Sequence, residues 1–447
     1  MLKTLLESQT FMLVFTLVFL SGLYILLHLV KNKYNVSAEL SRKMAHLGLG
    51  LTTLSFPWIF NDTWPVWVMC GVSIVTLLGL RHKKFRNNLG QALHSIERTS
   101  YGEICFPISV AILFELSHLT PVFYIIPLLV LTLADAFAAI IGVRYGKSHY
   151  NAAEGIKSIE GSLFFFITAF LCVQIPLLLL SDFDNGHIIL VALFIALLIT
   201  LCEAASWQGL DNLFIPLGSY MVLSTYLNFE LQTLIILTSI LIAIVIAGGY
   251  IREKSTMNLS ALLCCIVLGF LFITFEPLTF VIPLSMLLLY TFIARHEQSK
   301  LKNSHTVLTI FYLNLGGLFW LFLSNNSEFD FRIEFSIYYC IQIGIISWIH
   351  QHVFYGKNKY IYPVINTVVL YTALFMLYSK TWNVFINEKY FYYLAFTLIS
   401  LTVSVFIFRK WANEYKVIPN NRERHVMQGG TAFLGSIVFL ILRNLYA

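Results

Sequence analysis

Residues 121–146 read PVFYIIPLLVLTLADAFAAIIGVRYG. A spanning helix needs about 20 mostly apolar residues, and this run supplies them while carrying one carboxylate, Asp135, about two turns before its end. Ala139, Gly142 and Gly146 follow Asp135 at +4, +7 and +11, so small residues share its helix face. Such a stripe below a carboxylate lets another backbone, or a nucleotide, approach closely. Tight packing of membrane helices accounts for the glycines equally well, but it leaves the acid unexplained. Ionisable groups within a spanning segment are costly unless they pair or do work.

The rest of the chain repeats the pattern. Of its 447 residues 58% are hydrophobic, 15% aromatic and 12% charged, against roughly 25% charged in a soluble globular protein. That excludes a multidomain soluble enzyme, and 38 Phe with 23 Tyr exclude disorder. The expected fold is an all-α polytopic transmembrane bundle of about 14–16 spans. Candidate segments are 9–30, 44–60, 64–80, 104–117, 121–143, 161–180, 187–205 and 213–228, then 231–250, 259–274, 277–294, 306–324, 335–354, 361–379, 390–408 and 426–442. The seven cysteines lie in apolar stretches with no Cys-x-x-Cys pair, as small hydrophobes do.

Charge sidedness tests the count. Loops after the odd-numbered spans hold 24 of the 29 lysines and arginines, and the opposite side holds only Lys3, Arg332, Lys380, Lys389 and Arg443. Basic loops stay cytoplasmic, so both termini are expected outside, and the net charge of +6 reads as topology with no nucleic-acid partner.

Four polar clusters sit at the cytoplasmic ends of spans in the first half. Arg42, Lys43 and His46 enter the second span, ahead of Gly48 and Gly50. A basic loop with Arg81, Lys83, Lys84 and Arg86 leads through Glu97 and Arg98 to Gly102, Glu103 and Pro107. Asp135 and its glycines are followed by Arg144 and Lys147, then by Gly155, Lys157, Ser158, Glu160, Gly161 and Ser162. Glu203, Ser206, Gly209, Asp211 and Asn212 surround the one cytoplasmic loop without a lysine or arginine. Phosphate needs cations and bare backbone N–H groups, and Mg²⁺ needs carboxylate oxygens. Together the clusters offer both at one membrane face, which suits phosphoryl or nucleotidyl transfer. No Walker-type phosphate loop is present.

On these residues the chain resembles the phytol kinase and dolichol kinase family of CTP-dependent lipid-alcohol kinases. The A-D-x2-A-x3-G-x3-G pattern is Ala134 to Gly146, and K-S-x-E-G-S is Lys157 to Ser162. R-K-x2-H-x3-G is Arg42, Lys43, His46 and Gly50, and the last element is Glu203, Asp211, Asn212 and Pro216, with Cys202 where valine is usual. The resemblance covers roughly residues 38–225. It implies transfer of the γ-phosphate of CTP to an isoprenoid or related membrane lipid alcohol, with Mg²⁺. Carried over, Asp135, Lys157, Glu160 and His46 are expected to be catalytic. Arg42, Lys43, Gly142, Gly146, Lys147, Ser158 and Gly161 are expected at the nucleotide phosphates, and Asp135, Glu203, Asp211 and Asn212 at the metal. The third motif also resembles the CTP:phosphatidate cytidylyltransferases, whose longer signature is missing. The membrane expected is the inner membrane of a bacterium, or the reticulum or a plastid membrane of a eukaryote.

The expected division is a kinase-like domain at 1–250 and a further membrane domain of unknown role at 251–447. The second half holds Arg295–His296–Glu297, Asn314 with Gly316 and Gly317, His350 with His352, and Arg422, Arg424 and His425 before Gly429 and Gly430. The i, i+2 spacing of the two histidines does not share a helix face. Lys43-x2-His46 and Arg422-x2-His425 form a faint echo best explained by chance. A transporter or flippase predicts polar groups near mid-membrane in both halves and a repeat between them; the clustering at one face of one half disfavours it. A non-catalytic scaffold is disfavoured by the intact Asp135, Lys157, Glu160 and Asp211.

Overall fold

The computed structural model describes residues 8–34, 38–81, 101–117, 120–153, 155–251, 256–275, 277–293, 305–355, 360–378, 389–415 and 422–446. The basic loop of residues 82–100 and the Arg295–His296–Glu297 triplet lie outside them. Fifteen of the sixteen candidate segments fall on a helix, and the segment 44–60 does so only as far as Thr53, its helix starting earlier at Ala38. In the first unit these are α1 (Gln9–Tyr34), α2 (Ala38–Thr53), α3 (Trp64–Arg81), α4 (Gly102–Ser117), α5 (Pro121–Tyr145), α6 (Ile159–Leu180), α7 (Asn185–Ala205) and α8 (Asp211–Tyr226). They are followed by α9 (Leu231–Ile251), α10 (Leu259–Phe275), α11 (Val281–Ile293), α12 (Val307–Asn326), α13 (Arg332–Tyr355), α14 (Ile361–Tyr378), α15 (Tyr390–Tyr415) and α16 (Arg422–Tyr446). The protein is an all-α, polytopic membrane bundle. Nine helices among the described residues are long and apolar enough to span on their own. The 16-residue helices α2, α4 and α8 fall short of that length, and they carry Lys43, Glu103, Asp211 and Asn212. The sequence places polar groups where it also shortens the apolar run.

The apolar surface faces lipid. On α1 alone Val14, Phe15, Val18, Ile25, Leu26 and Leu29 are all more than half exposed, an arrangement water would not tolerate. The chain divides into two compact units, Met1–Ile246 and Ala247–Ala447. In the first, α7 is central: Val191, Ala192, Phe194, Ile195 and Ala196 are fully buried, and its last turn brings Glu203 inward. In the second, α13 has that place, with Phe335, Ile337, Tyr338, Tyr339 and Ile341 fully buried.

Helix α5 is not uniform. Pro127 removes an N–H donor inside it, and the following Val130–Ala134 turn widens to π geometry directly before Asp135. Antiparallel to this turn runs α2. A Cβ at Gly50 would collide with the hydroxyl and methyl of Thr132, so only glycine permits this crossing. Tyr124 fixes the far end of it by donating to Thr53 O at 2.9 Å. With Gly50 seated on Thr132, Lys43 reaches Asp135 two turns away.

One element departs from the all-helical expectation. Between α5 and α6 the chain forms an antiparallel hairpin, β1 (His149–Ala152) and β2 (Gly155–Ser158), with Tyr150 opposite Lys157. Gly155 takes φ 93° at its turn, a conformation glycine adopts without strain. Ser158 then caps α6, accepting from Gly161 N at 3.1 Å.

Replacing Gly50 by leucine is expected to lower the unfolding temperature of the detergent-solubilised protein, with a cost of about 1–3 kcal/mol from overpacking. Adding Thr132→Ala makes room for part of the new side chain and should return part of the loss. Equal unfolding temperatures for Gly50→Leu and wild type would contradict the crossing.

Candidate active site

The N-terminal ends of α2, α4, α6 and α8 and the C-terminal ends of α5 and α7 meet at one face of the first unit, and all four sequence clusters meet with them. Lys43 Nζ lies 2.5 and 2.6 Å from the two carboxylate oxygens of Asp135, joining the first cluster to the third. Lys157 Nζ donates to Glu203 Oε1 at 2.7 Å and to Glu203 O at 2.6 Å, joining the third to the fourth. Asn212 Nδ2 donates to Gly102 O at 2.9 Å, and Tyr101 N donates to Gln208 O at 2.8 Å, joining the second to the fourth. A Cβ at Gly102 would stand 2.8 Å from Asn212 Nδ2, so glycine is required there. The loop that makes these contacts turns through two left-handed residues, Gln208 at φ 53° and Gly209 at φ 75°. A non-glycine residue held there costs energy and is found where a loop must take one shape.

The two lysine–carboxylate pairs are secluded. Lys43 and Asp135 side chains are 11% and 12% exposed, Lys157 and Glu203 25% and 12%. His46 lies one turn beyond Lys43; its Nε2 is 4.0 Å from Asp135 Oδ2, buried and without a hydrogen bond, and its ring packs edge-on against Phe106. Asp211 acts electrostatically on both His46 and Lys157, and Arg42 on both His46 and Asp135. The two pairs therefore belong to one site, with Asp211 felt by both. Burial pulls the Lys157 pKa down, but the Glu203 charge and its hydrogen bond outweigh burial, so the net shift is upward from 10.5. Tyr150, opposite Lys157 on the hairpin, bonds Ser162 at 2.7 Å, and burial pushes its phenol up.

The remaining expected site residues fall differently. The glycine face below Asp135 is filled by the chain itself: a Cβ at Gly142 would stand 3.0 Å from Ser158 Oγ, one at Gly146 2.7 Å from Ser158 Cβ, and one at Gly161 3.2 Å from Gly142 Cα. These glycines seat the hairpin on α5. Glu160 accepts from Ser148 N at 3.1 and 3.3 Å, closing the base of the hairpin, and Lys147 is exposed. Asn212 spends its amide on Gly102. Not anticipated were the hairpin with Tyr150, and the backbone of Tyr101 and Gln208. The Gly-x-Asp-Asn spacing after Trp207 was the one available sign of a shaped loop.

Among the described residues, no three His, Cys, Asp or Glu side chains stand close enough to hold a metal ion by themselves. Asp135 and Glu203 are each held by a lysine, while Asp211 makes no ion pair among the described residues. Magnesium at phosphotransfer sites takes one or two carboxylates plus substrate phosphates and water, and the donor set suits it in that form, with Asp211, whose Oδ1 accepts from Asn212 N at 3.1 Å, the carboxylate not held by a lysine.

A curated phytol kinase from Synechocystis sp. is 31% identical to this chain over 196 residues, 43% of this chain and 81% of that protein. No family model matches the chain, and no solved structure matches it.

Removing one partner of a buried pair strands the other charge, at a cost of about 3–5 kcal/mol. Lys43→Met and Asp135→Leu should each lower the unfolding temperature in detergent, and the double variant should recover most of it; additive losses would contradict the pairing. For Lys157 the raised pKa means its contribution is fully present below 10.5 and is lost as pH rises through the higher folded value. The stability gap between wild type and Lys157→Met should hold steady from about pH 6 to about pH 9 and narrow only in stronger alkali. A gap that closes by about pH 8 would contradict the Glu203 contact.

Proposed function

The chain belongs to the phytol kinase family, and from that premise we propose that its first unit transfers the γ-phosphate of CTP to the hydroxyl of a membrane lipid alcohol of the isoprenoid type. The observation that carries the proposal is the joining of Lys43–Asp135 and Lys157–Glu203 in one secluded site. Phosphoryl transfer asks little covalent chemistry of a protein; it asks for positioning and for cations where charge builds up. Two lysines parked on carboxylates meet that need. Each exchanges its carboxylate for a phosphate oxygen when the nucleotide enters, which releases Asp135 and Glu203 beside the reacting groups. His46, buried with a free Nε2 facing Asp135, takes the proton of the attacking hydroxyl, and Asp135 steadies the imidazolium that results. Asp211 would hold a magnesium ion carried on the nucleotide, which would supply neutralisation of phosphate charge. Arg42 adds positive charge at the same end. Asn212, Gly102 and the hairpin glycines act by holding the shape.

The protein is a multi-pass membrane kinase of this family, and the lipid hydroxyl reaches the site from the bilayer while CTP arrives from water. By the distribution of lysine and arginine, that aqueous side is the cytoplasm.

The test uses purified protein, CTP labelled at either the α- or the γ-phosphate, and phytol, geranylgeraniol, farnesol, dolichol and diacylglycerol. The γ-label should pass to at least one alcohol, and Asp135→Ala and Lys157→Ala should each slow transfer by about 100-fold or more. The proposal fails if no alcohol takes label from any nucleotide, or if both variants keep the full rate. An α-label passing to phosphatidate with release of pyrophosphate would select nucleotidyl transfer instead.

A further inference from the structure

The second unit buries a cation that no described carboxylate answers. Arg424, in the first turn of α16, is 8% exposed, and its Nε has no hydrogen-bond partner. Its Nη2 lies 2.5 Å from Nε2 of the buried His425, whose ring stands 3.4 Å from Thr309 Oγ1 in the first turn of α12. His305, just before α12, has its Nε2 3.1 Å from Tyr290 OH. Arg424 acts electrostatically on His305, His425 and Tyr290, so these side chains form one cluster. Burial first, and the Arg424 charge second, hold His305 at about 4, so its ring is neutral near pH 7. Among the described residues no Asp or Glu acts on Arg424, His425 or His305.

The surroundings are rigid. Helix α16 crosses α12 so closely that a Cβ at Gly429 would stand 2.5 Å from Tyr312 O. Gln428 donates to Gln342, Gln342 to Tyr338, and Tyr338 to Leu313 O, tying α16 to α13 and α12 behind the cluster. In the first unit both buried lysines carry their own carboxylate. Here the buried guanidinium carries none among the described residues, and it stands with hydroxyl and imidazole groups on the opening turns of two helices, where the backbone dipole also favours an anion. A guanidinium kept from water without a counter-charge is unfavourable, and its planar fork fits two oxygens of a phosphate.

We infer that Arg424, His425, His305, Tyr290 and Thr309 form a binding site for a phosphate monoester or inorganic phosphate in the second unit. Arg424 supplies the charge. Tyr290, Thr309 and the two imidazoles supply hydrogen bonds to the remaining oxygens. The shared chemistry is a dianionic phosphate, whether free or at the head of a lipid, and the inference does not depend on the first unit's reaction.

Thermal unfolding of the full chain in detergent tests it, with inorganic phosphate in one arm and farnesyl monophosphate in mixed micelles in the other. At least one probe should raise the unfolding temperature of wild type and of Lys157→Met, whose change lies in the other unit, and should leave Arg424→Met unmoved. A shift with farnesyl monophosphate alone identifies a lipid headgroup, and one with inorganic phosphate identifies the free ion; both support the site. Without ligand, Arg424→Met should unfold no lower than wild type, because the stranded charge is gone. Arg424→Lys, which keeps charge but loses the fork, should weaken binding at least about tenfold. The inference is overturned if neither probe shifts wild type, if Arg424→Met keeps the shift, or if its ligand-free unfolding temperature falls sharply.

Discussion

The contact between Lys43 and Asp135 is the constraint on which the first unit rests. A carboxylate two turns inside an apolar helix cannot be left in hydrocarbon, so a cation must be brought to it, and α2 is the element that brings it. Everything about that helix serves the delivery. Gly50 removes the side chain that would hold it off Thr132, Tyr124 pins its end, and the π turn in α5 sets the direction in which Asp135 leaves the helix. The pair costs desolvation on both sides and adds little net stability. Its value lies in keeping two opposite charges poised at a membrane surface.

The second pair extends the same logic. The hairpin after α5 is held against the helix by Gly142, Gly146 and Gly161, and it aims Lys157 at the end of α7, where Glu203 waits. The loop after Glu203 is then forced through left-handed geometry at Gln208 and Gly209 so that Asn212 can reach Gly102. Cations, carboxylates and an unbonded imidazole thus collect at one face from six helix ends. A site so arranged can accept a polyphosphate only by trading internal ion pairs for external ones. On the proposed function, that trade makes the nucleotide the group that sets the carboxylates free.

How much of this could be read from the sequence depends on distance along the chain. The helices were legible because each is a local apolar run, and fifteen of the sixteen fall where hydropathy places them; the segment expected at 44–60 is displaced, its helix running Ala38–Thr53 because the polar Arg42–Lys43 turn is helical too. The four polar clusters were legible because charges at the ends of such runs are rare. Their pairing was not: Lys43 and Asp135 are 92 residues apart and Lys157 and Glu203 are 46, and nothing local couples them. The stripe below Asp135 shows the limit most clearly. Small residues at +7 and +11 mark a close approach, and the spacing alone does not say by what; the occupant is Ser158 with Gly161 of the same chain. Glu160 likewise carried the mark of a polar site residue and serves the hairpin by accepting from Ser148 N. In the second unit Arg424 and His425 stood out by type, whereas the absence, among the described residues, of an acid that acts on Arg424 emerges only in three dimensions.

On the proposed function, the two lysine–carboxylate pairs share one site and are released together by nucleotide. Zero-length carbodiimide coupling followed by peptide mass spectrometry reads both parts at once, since it links an amine to a carboxylate only where they touch. Lys43–Asp135 and Lys157–Glu203 amides are expected in the protein alone, with a loss of both when CTP and Mg²⁺ are added before the reagent. Absence of both linkages from the ligand-free protein, or their persistence at saturating CTP, would contradict it.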